Sequence, residues 1–101
     1  MTIDLSLSNA PLYKGCKIEL VAGRGNLTTP VEEAISLVGN NIAGLVASVP
    51  VAERGEVTLT GPMAVWAYLV CFHAVVHSFG RVFYSDGRVP KVLIAAHGPL
   101  G

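Results

Sequence analysis

Between Pro62 and Gly80 the chain runs through seventeen residues, MAVWAYLVCFHAVVHSF, without one Asp, Glu, Lys or Arg. Pro is favoured in the first turn of a helix and Gly just past its end, so this segment predicts one long apolar helix over Pro62–Ser78. A membrane-spanning helix needs about 20 apolar residues and rarely carries ionisable groups. Because this run is shorter and contains His73 and His77, we expect it to be buried in protein and not in lipid.

The composition gives the whole chain the same apolar character. Of its 101 residues, 51% are hydrophobic and 14% are charged, and the formal net charge is zero. This composition excludes a disordered chain and a polybasic nucleic-acid-binding tail, so we expect no duplex DNA partner, and the length predicts a single domain over residues 1–101. A domain this small cannot bury so many apolar side chains alone, so we expect a homodimer or a higher homo-oligomer.

The first residues and the cysteines predict a cytoplasmic location. The start of the chain, MTIDLSLSN, lacks the basic residues and the long apolar stretch of a signal peptide. Two cysteines, Cys16 and Cys71, are too few for the disulfide framework of a small secreted domain. We interpret both as buried, unreactive thiols and expect a protein with no membrane partner.

Alternation of apolar residues and turn signals predict the other elements. Before the long helix they predict strands at Thr2–Ser8, Cys16–Ala22 and Glu56–Thr60, a flexible loop at Gly23–Asn26, and a helix at Pro30–Val38 capped by Thr28 or Thr29. After it they predict strands at Arg81–Tyr84 and Lys91–Ala96, joined by a turn at Ser85–Arg88. Residues 39–55 are left open between a connector, a short strand and a broken helix. The order β-β-α-β-α-β-β predicts an α+β fold, close to ferredoxin-like, with two helices on one face of a mixed sheet.

Histidine and positive charge favour the second half of the chain. Residues 61–101 carry all three histidines and three basic side chains against one acid, whereas residues 1–60 carry four basic and six acidic side chains. We therefore expect the second half to attract anions. His73 and His77 share one face of the predicted helix, where they can be packing residues or a pair of metal ligands. Ala74 stands where the HExxH metalloprotease motif needs its Glu.

The turn at Ser85–Arg88 is the first candidate site. Asp86 can ligate a metal or accept a proton, and Arg88 can bind a phosphate through two hydrogen bonds. Asp and Gly also suit an ordinary hairpin turn, which is the alternative interpretation. We expect this turn to lie near the C-terminus of the long helix, close to His77, with His97 at the end of the neighbouring strand as a further ligand-binding residue.

Two other segments can bind anions through backbone N–H groups. Thr60, Gly61 and Pro62 precede the long helix, whose first N–H groups are free to hold a phosphate. The loop at Gly23–Asn26 can form a concave anion-binding nest beside Arg24, or it can be a mobile loop with an exposed Arg24. It lacks the third glycine of a dinucleotide fingerprint and the Lys-Ser/Thr of a P-loop.

One set of residues in the second half recurs together in a known family: Gly61-Pro62, Trp66, Cys71, His73, His77, Tyr84, Asp86-Gly87-Arg88 and Ala96-His97. With these residues the chain resembles the small CRISPR-associated ring nucleases of the third Csx family. The resemblance implies a ferredoxin-like protomer that dimerises and assembles further around its ligand. It also implies an enzyme that cleaves cyclic tetra-adenylate, the second messenger of type III CRISPR defence, to linear di-adenylate. Manganese-dependent cleavage of RNA is associated with the same family, so the resemblance implies manganese as a cofactor.

The resemblance also implies site residues. The functional histidine of the family falls on His77, or on Val76 if the alignment shifts by one, and its acidic and basic turn residues fall on Asp86 and Arg88. A metal would then be held by His77 and Asp86. The chain departs from the family by one extra residue before Asp86, by a glycine in place of the proline after it, and by one histidine at the helix end instead of two. These departures bear more on the metal requirement than on the class of ligand.

The same residues permit a mechanism for cleaving a ribose phosphodiester. The reaction needs a base at the 2′-hydroxyl, donors for the charge that develops on the phosphate, and an acid for the leaving oxygen. His77 can be the base or the acid, Arg88 and the N–H groups near Gly61 the donors, and Asp86 can orient His77 or hold a metal. Two other classes stay open: a non-catalytic cyclic-nucleotide-sensing or dimerisation module, and a metal-binding structural protein that uses His73, His77 and Asp86.

Overall fold

The computed structural model describes residues 1–88 and 90–96. Their elements, in chain order, are β1 (Thr2–Asp4), β2 (Ile18–Val21), β3 (Arg24–Leu27), α1 (Val31–Ala47), a short 3-10 helix (Val51–Glu53), β4 (Glu56–Thr60), α2 (Val65–Val76), β5 (Arg81–Ser85) and β6 (Val92–Ala96). The order has one strand more than the sequence predicts, because the segment predicted as a loop after β2 is itself a strand.

The main sheet has four strands in the order β1-β4-β5-β6. Strands β1, β4 and β5 run parallel, joined by α1 and α2 as two consecutive β-α-β units, and β6 returns antiparallel along β5. The predicted α+β fold is confirmed: a mixed four-stranded sheet with two helices, compatible with a ferredoxin-like architecture. Since parallel strands end at the same edge of a sheet, this topology brings the ends of β1, β4 and β5 side by side.

The core lies between one face of this sheet and both helices. The strand register places Ile3 opposite Leu59 and Val57 opposite Val82, and all four side chains are buried. One continuous core contains these residues together with the buried residues of the helices: Val38, Ile42 and Val46 of α1 and Cys71 and Val75 of α2. Side chains opposite one another on neighbouring strands share a face, so both helices cover the same face of the sheet, as the sequence predicts.

Strands β2 and β3 form a hairpin outside the main sheet, and the prediction of a flexible loop at Gly23–Asn26 is wrong. Val21 pairs with Arg24, and the turn between them consists of Ala22 and Gly23, at φ of 50° and 78°. A two-residue turn with positive φ at both positions matches the twist of the strands that it joins. The hairpin is therefore specified by its turn and not by alternation of apolar residues.

Helix α1 continues to Ala47, nine residues beyond the predicted end at Val38. Its buried residues recur every fourth position, at Ala34, Val38, Ile42 and Val46. This stripe continues across Gly39, Asn40 and Asn41, whose helix propensities are low, because burial of a stripe in the core outweighs propensity. Pro30 is the N-cap residue of the helix, and no described side chain caps it. The predicted threonine cap does not form, because Thr29 Oγ instead accepts a hydrogen bond from Lys17 N at 2.7 Å.

Helix α2 is shorter at both ends than the predicted Pro62–Ser78. It begins at Val65, so Pro62 lies in the connection from β4 and not in the first turn. Gly61 has a φ of 101°, which turns the chain sharply out of the strand before the helix can start. With twelve residues, α2 cannot span a bilayer, and neither can any other helix in residues 1–88 and 90–96.

Candidate functional site

A polar cleft of about 610 Å³ lies at the edge where β1, β4 and β5 end. It is lined by Asp4, Ser6, Thr60, Gly61, Pro62, Tyr84, Asp86 and Gly87. Sheets with parallel strands and crossover helices commonly bind ligands beyond the carboxyl ends of those strands. The cleft brings together four residues that the sequence nominates from separate motifs: Thr60, Gly61, Pro62 and Asp86.

Gly61 allows the two sides of the cleft to meet. A Cβ at this position would lie 2.2 Å from Oδ1 of Asp4 and 3.0 Å from the backbone nitrogen of Ser6. Together with its φ of 101°, this contact restricts the position to glycine. The residue therefore has a structural role in addition to the predicted backbone contact with an anion.

Asp4 organises one wall of the cleft, and the sequence analysis does not predict this role. Its Oδ1 accepts a hydrogen bond from Ser6 N at 2.8 Å, and its Oδ2 accepts one from the Ser6 hydroxyl at 2.9 Å. Asn9 Nδ2 donates to the backbone oxygen of Asp4 at 2.6 Å. These contacts bend the chain away from the sheet directly after β1, which is why the strand ends at Asp4 and not at the predicted Ser8. The alternation of apolar and polar residues over positions 2–8 predicts a longer strand and gives no sign of this bend. The only sequence signal for the bend is that serines stand at the second and fourth positions after Asp4.

Hydroxyl groups fix the opposite wall. Thr60 Oγ donates to the backbone oxygen of Ser85 at 2.7 Å, joining the ends of β4 and β5. The Tyr68 hydroxyl donates to the backbone oxygen of Gly61, and its ring meets that of Tyr84 edge to face with centroids 5.6 Å apart. Burial raises the pKa of Tyr68, so this phenol stays protonated and keeps donating at neutral pH. A ligand in the cleft therefore meets a preformed wall of oxygen atoms and aromatic edges.

The N-terminus of α2 adds a positive dipole next to the cleft. Ala64 is the N-cap residue, and none of the described side chains caps the helix there. The first N–H groups of a helix lack partners within the helix and carry partial positive charge, which favours an anionic group in front of them. The connection of Gly61 to Ala64 places this helix start directly after the cleft-lining residues.

The turn after β5 carries the predicted acidic residue, Asp86, and the predicted basic residue, Arg88. Gly87 has a φ of 86° and donates its N–H to Ser85 Oγ at 3.1 Å, and Arg88 N donates to Asp86 Oδ1 at 2.8 Å. Asp86 and Arg88 are both exposed. The Asp86 side chain thus bonds to the N–H group two residues on, as Asp commonly does in turns. The same residue lines the cleft, with a guanidinium two residues further on.

The histidine pair lies near the end of α2 that is farther from the cleft. His73 and His77 are exposed near the C-terminus of α2, with their rings edge to face and centroids 5.4 Å apart. A helix of twelve residues is about 18 Å long, and β5 begins where α2 ends and runs back towards the cleft. The structure thus differs from the expectation that the Asp86 turn lies near the C-terminus of this helix. One protomer does not bring His77 together with Asp86 and Arg88.

Arg24 and His97 are the remaining predicted site residues. Arg24 is exposed as the first residue of β3 on the hairpin, and it is not among the residues that line the cleft. His97 lies outside the described residues. In the described part of the chain, no three His, Cys, Asp or Glu side chains come close enough together to hold a metal ion.

The two cysteines have the environment of structural thiols. Cys71 is fully buried in the core, and burial raises its pKa to about 11. Cys16 is half-buried, and its pKa is also raised by burial. Since the thiolate is the reactive form, both thiols are poor nucleophiles at neutral pH.

Comparisons of the chain with protein-family models, with curated proteins and with solved structures find no match. The resemblance to ring nucleases stays a prediction from the sequence; of the residues on which it is based, Gly61, Pro62, Tyr84, Asp86 and Gly87 line the cleft.

Proposed function

We propose that this protein is a CRISPR-associated ring nuclease that binds a cyclic oligoadenylate, cyclic tetra-adenylate first among them, and cleaves it to linear di-adenylate. The observation that supports this proposal is the cleft at the ends of β1, β4 and β5. There Thr60, Gly61, Pro62 and Asp86 line one cleft, and α2 begins three residues after Pro62 with no described side chain capping it. Cleavage would switch off type III CRISPR signalling in the cytoplasm.

The cleft offers what an adenylate ring needs for binding. The proposed sources of positive charge for the phosphates are the first N–H groups of α2 and the guanidinium of Arg88. They closely follow the cleft-lining residues in the chain and are not themselves among them. The hydroxyls of Ser6 and Thr60 keep free lone pairs that can accept hydrogen bonds from ribose hydroxyls. Tyr84, which is 39% exposed, presents part of its ring at the cleft as a surface for an adenine. The carboxylates of Asp4 and Asp86 oppose phosphate locally, which favours placing the ribose and not the phosphate against them.

The proposed reaction needs a second copy of the chain. The 2′-hydroxyl oxygen attacks phosphorus, the bond from phosphorus to the 5′ oxygen breaks, a base takes the 2′ proton, and an acid protonates the leaving oxygen. Arg88 stabilises the charge that develops on the phosphate. His77 is the proposed base or acid, and because it lies at the far end of α2, it reaches the ring from another protomer that assembles around the ligand.

The symmetry of the ring and of a two-fold dimer agrees with the proposed product. A ring of four equivalent nucleotides has four-fold symmetry, which contains a two-fold axis. A two-fold dimer therefore presents its site twice, on opposite sides of the ring. Two cuts on opposite sides convert one cyclic tetra-adenylate into two linear di-adenylates.

Manganese remains a prediction from the family alone. Carboxylate and imidazole are suitable ligands for it, but the residues described in one protomer do not assemble three such groups. We therefore assign no step of the reaction to a metal.

The experiment is to incubate the purified protein with cyclic tetra-adenylate and cyclic hexa-adenylate, with and without manganese, and to separate the products. We expect linear di-adenylate from the tetra-adenylate ring. The absence of product from both rings, under both conditions, contradicts the enzyme proposal.

One observation favours the second candidate function, a non-catalytic module that senses a cyclic nucleotide or serves dimerisation. No histidine in residues 1–88 and 90–96 lines the cleft, so a single protomer can bind there without the proposed histidine acid or base at hand. Tight binding of the ring with no turnover at any protein concentration selects this function over the nuclease.

A further inference from the structure

Helix α2 has two apolar sides, and the fold buries one of them completely and the other only in part, since Phe72 and Val76 of the second side are half-buried against the core. The covered side contains Ala67, Cys71 and Val75, which are buried. The second side contains Val65, Leu69, Phe72 and Val76. On this side Val65 is 73% exposed and Leu69 is 64% exposed. A helix that is hydrophobic all round is normally covered on every side, so the second side indicates a surface that another molecule covers.

Strand β6 is an edge strand with the same character. It contains no charged residue, and Val92, Leu93 and Ile94 are each about half exposed. In the described residues no strand pairs with its outer edge. Proteins usually protect an edge strand with charges or proline, because a bare apolar edge pairs with other chains. The composition of β6 is therefore that of a strand which is covered in the working protein.

An apolar groove joins the two features into one surface. It has a volume of about 340 Å³ and lies between α2 and the β5–β6 pair. Its lining is Leu59, Tyr68, Leu69, Phe72, Val82, Phe83, Tyr84 and Ile94. We call this surface the α2–β6 face; its exposed large apolar residues are Val65, Leu69, Tyr84, Val92 and Ile94. These are five of the thirteen large apolar side chains that the described residues expose.

We propose that the α2–β6 face is the surface through which two copies of this chain form a two-fold dimer. The residues on the second apolar side of α2 have spacings of four, three and four, which is the spacing of helices that pack side by side by inserting knobs into holes. In a two-fold dimer the same patch meets itself, so two antiparallel α2 helices place Val65 near Val76 of the other copy and Leu69 near the centre. Each helix then covers the groove and part of β6 of the other copy.

A second copy fits this face better than a charged partner does. The stretches Val65–Val76 and Val92–Ala96 contain no Asp, Glu, Lys or Arg, so the face matches itself without burying an unpaired charge. A stable dimer buries about 800 Å² on each partner, which is about one eighth of the 6377 Å² that the chain exposes. A face with five of the thirteen exposed large apolar side chains is large enough to supply that area. This proposal depends on exposed apolar residues and stands whether or not the protein cleaves a ring.

Sedimentation velocity over a dilution series tests the interface. We expect the native chain to sediment as a dimer, with twice the 10.6 kDa mass of one chain. The Leu69→Glu variant should sediment as a monomer and keep the circular dichroism spectrum of the native protein. Val65→Glu is the second variant, because a glutamate in the first turn of α2 favours the helix and can weaken the dimer only through the interface. The matched control is Leu20→Glu on the β2–β3 hairpin, where Leu20 is 79% exposed; it should remain a dimer.

Cross-linking gives an independent readout. In a Cys16→Ser background, Leu69→Cys should form a covalent dimer on mild oxidation, because the two copies of residue 69 lie near the two-fold axis, and Leu20→Cys should not. A native chain that is monomeric throughout the dilution series contradicts the proposal, since another molecule must then cover the face. A dimer that survives both glutamate substitutions, or that Leu20→Glu alone dissociates, also contradicts it.

Discussion

The Cβ that any other amino acid would carry at position 61 would lie 2.2 Å from Oδ1 of Asp4, although the two residues are far apart in the sequence. Gly61 follows β4 and Asp4 ends β1, and both residues line the cleft. The shape of the proposed ligand site therefore depends on a contact between the first residues of the chain and the connection to α2.

We expect Gly61→Ala to destabilise the protein by about 2 kcal/mol or more, because it combines a positive φ with a clash. The matched control is Gly87→Ala, where φ is 86° and an added Cβ meets no described atom within 4 Å. The control should lose only about 1 kcal/mol from backbone strain. Urea unfolding measures both variants. Equal losses for the two glycines would show that the contact with Asp4 is not a constraint on the fold.

Helix α1 offers a test of its unexpected length. Gly44 lies in its last part, and an added Cβ there meets no described atom within 4 Å. Gly44→Ala should therefore raise the free energy of unfolding by about 0.5 to 1 kcal/mol, through helix propensity and a less flexible unfolded chain. Gly23→Ala is the contrasting variant, since its φ of 78° makes the same substitution unfavourable. A neutral or destabilising Gly44→Ala would argue against a helix at this position.

The buried thiol of Cys71 predicts a loss of stability in alkali. Its pKa is raised by burial from 9.0 to about 11, so the folded state keeps a proton that the unfolded state releases. Folding stability from this group is complete below pH 9 and falls as the pH rises towards 11, with a slope of up to about 1.4 kcal/mol per pH unit. Urea unfolding at pH 8, 9 and 10 checks this. Cys71→Ala, although less stable at every pH because of the cavity, should show a smaller slope, and an unchanged slope would assign the effect to another group.

The sequence predicts the helices and strands whose apolar residues recur with a clear period. It fails where contacts between distant parts of the chain determine the structure. Strand β4 follows from the alternation of its residues, and its predicted bounds are confirmed. Helix α2 is predicted from its uncharged run, although it is shorter than expected. Strand β3 has no apolar alternation and exists because Ala22 and Gly23 turn the chain back on itself. Helix α1 runs through Gly39 because its buried stripe continues on both sides of that residue.

The residues of the cleft divide in the same way into those that the sequence predicts and those that it does not. Thr60, Gly61, Pro62 and Asp86 can be nominated from local motifs because each stands at the end of a strand. Asp4 cannot be, since its position in the cleft depends on the parallel pairing of β1 with β4, where Asp4 lies opposite Thr60. The separation of His77 from Asp86 is, by contrast, a consequence of topology: a strand that follows a helix begins near the helix C-terminus and ends at the opposite edge of the sheet.

Arg88 should matter for binding the ring, and Arg81 should not. The two arginines are exposed at opposite ends of β5, with Arg88 just past the cleft and Arg81 at the first residue of the strand. We expect Arg88→Ala to weaken the affinity for cyclic tetra-adenylate about tenfold or more, the loss of one charge-assisted phosphate contact. Arg81→Ala is the matched control with the same change in net charge. Calorimetric titration measures both, and equal affinities for the two variants would remove the Asp86–Arg88 turn from the binding site.

The most direct test mixes two variants that should each be inactive. His77→Ala lacks the proposed acid or base at the end of α2, and Asp86→Ala lacks the carboxylate at the cleft. Each alone should slow the cleavage of cyclic tetra-adenylate at least about tenfold. If one protomer supplies the cleft and another supplies His77, some sites in the mixture combine an intact cleft with an intact histidine. The mixture should then cleave the ring faster than either variant alone, whereas a mixture as slow as the separate variants, beside an active native protein, would contradict a site shared between copies.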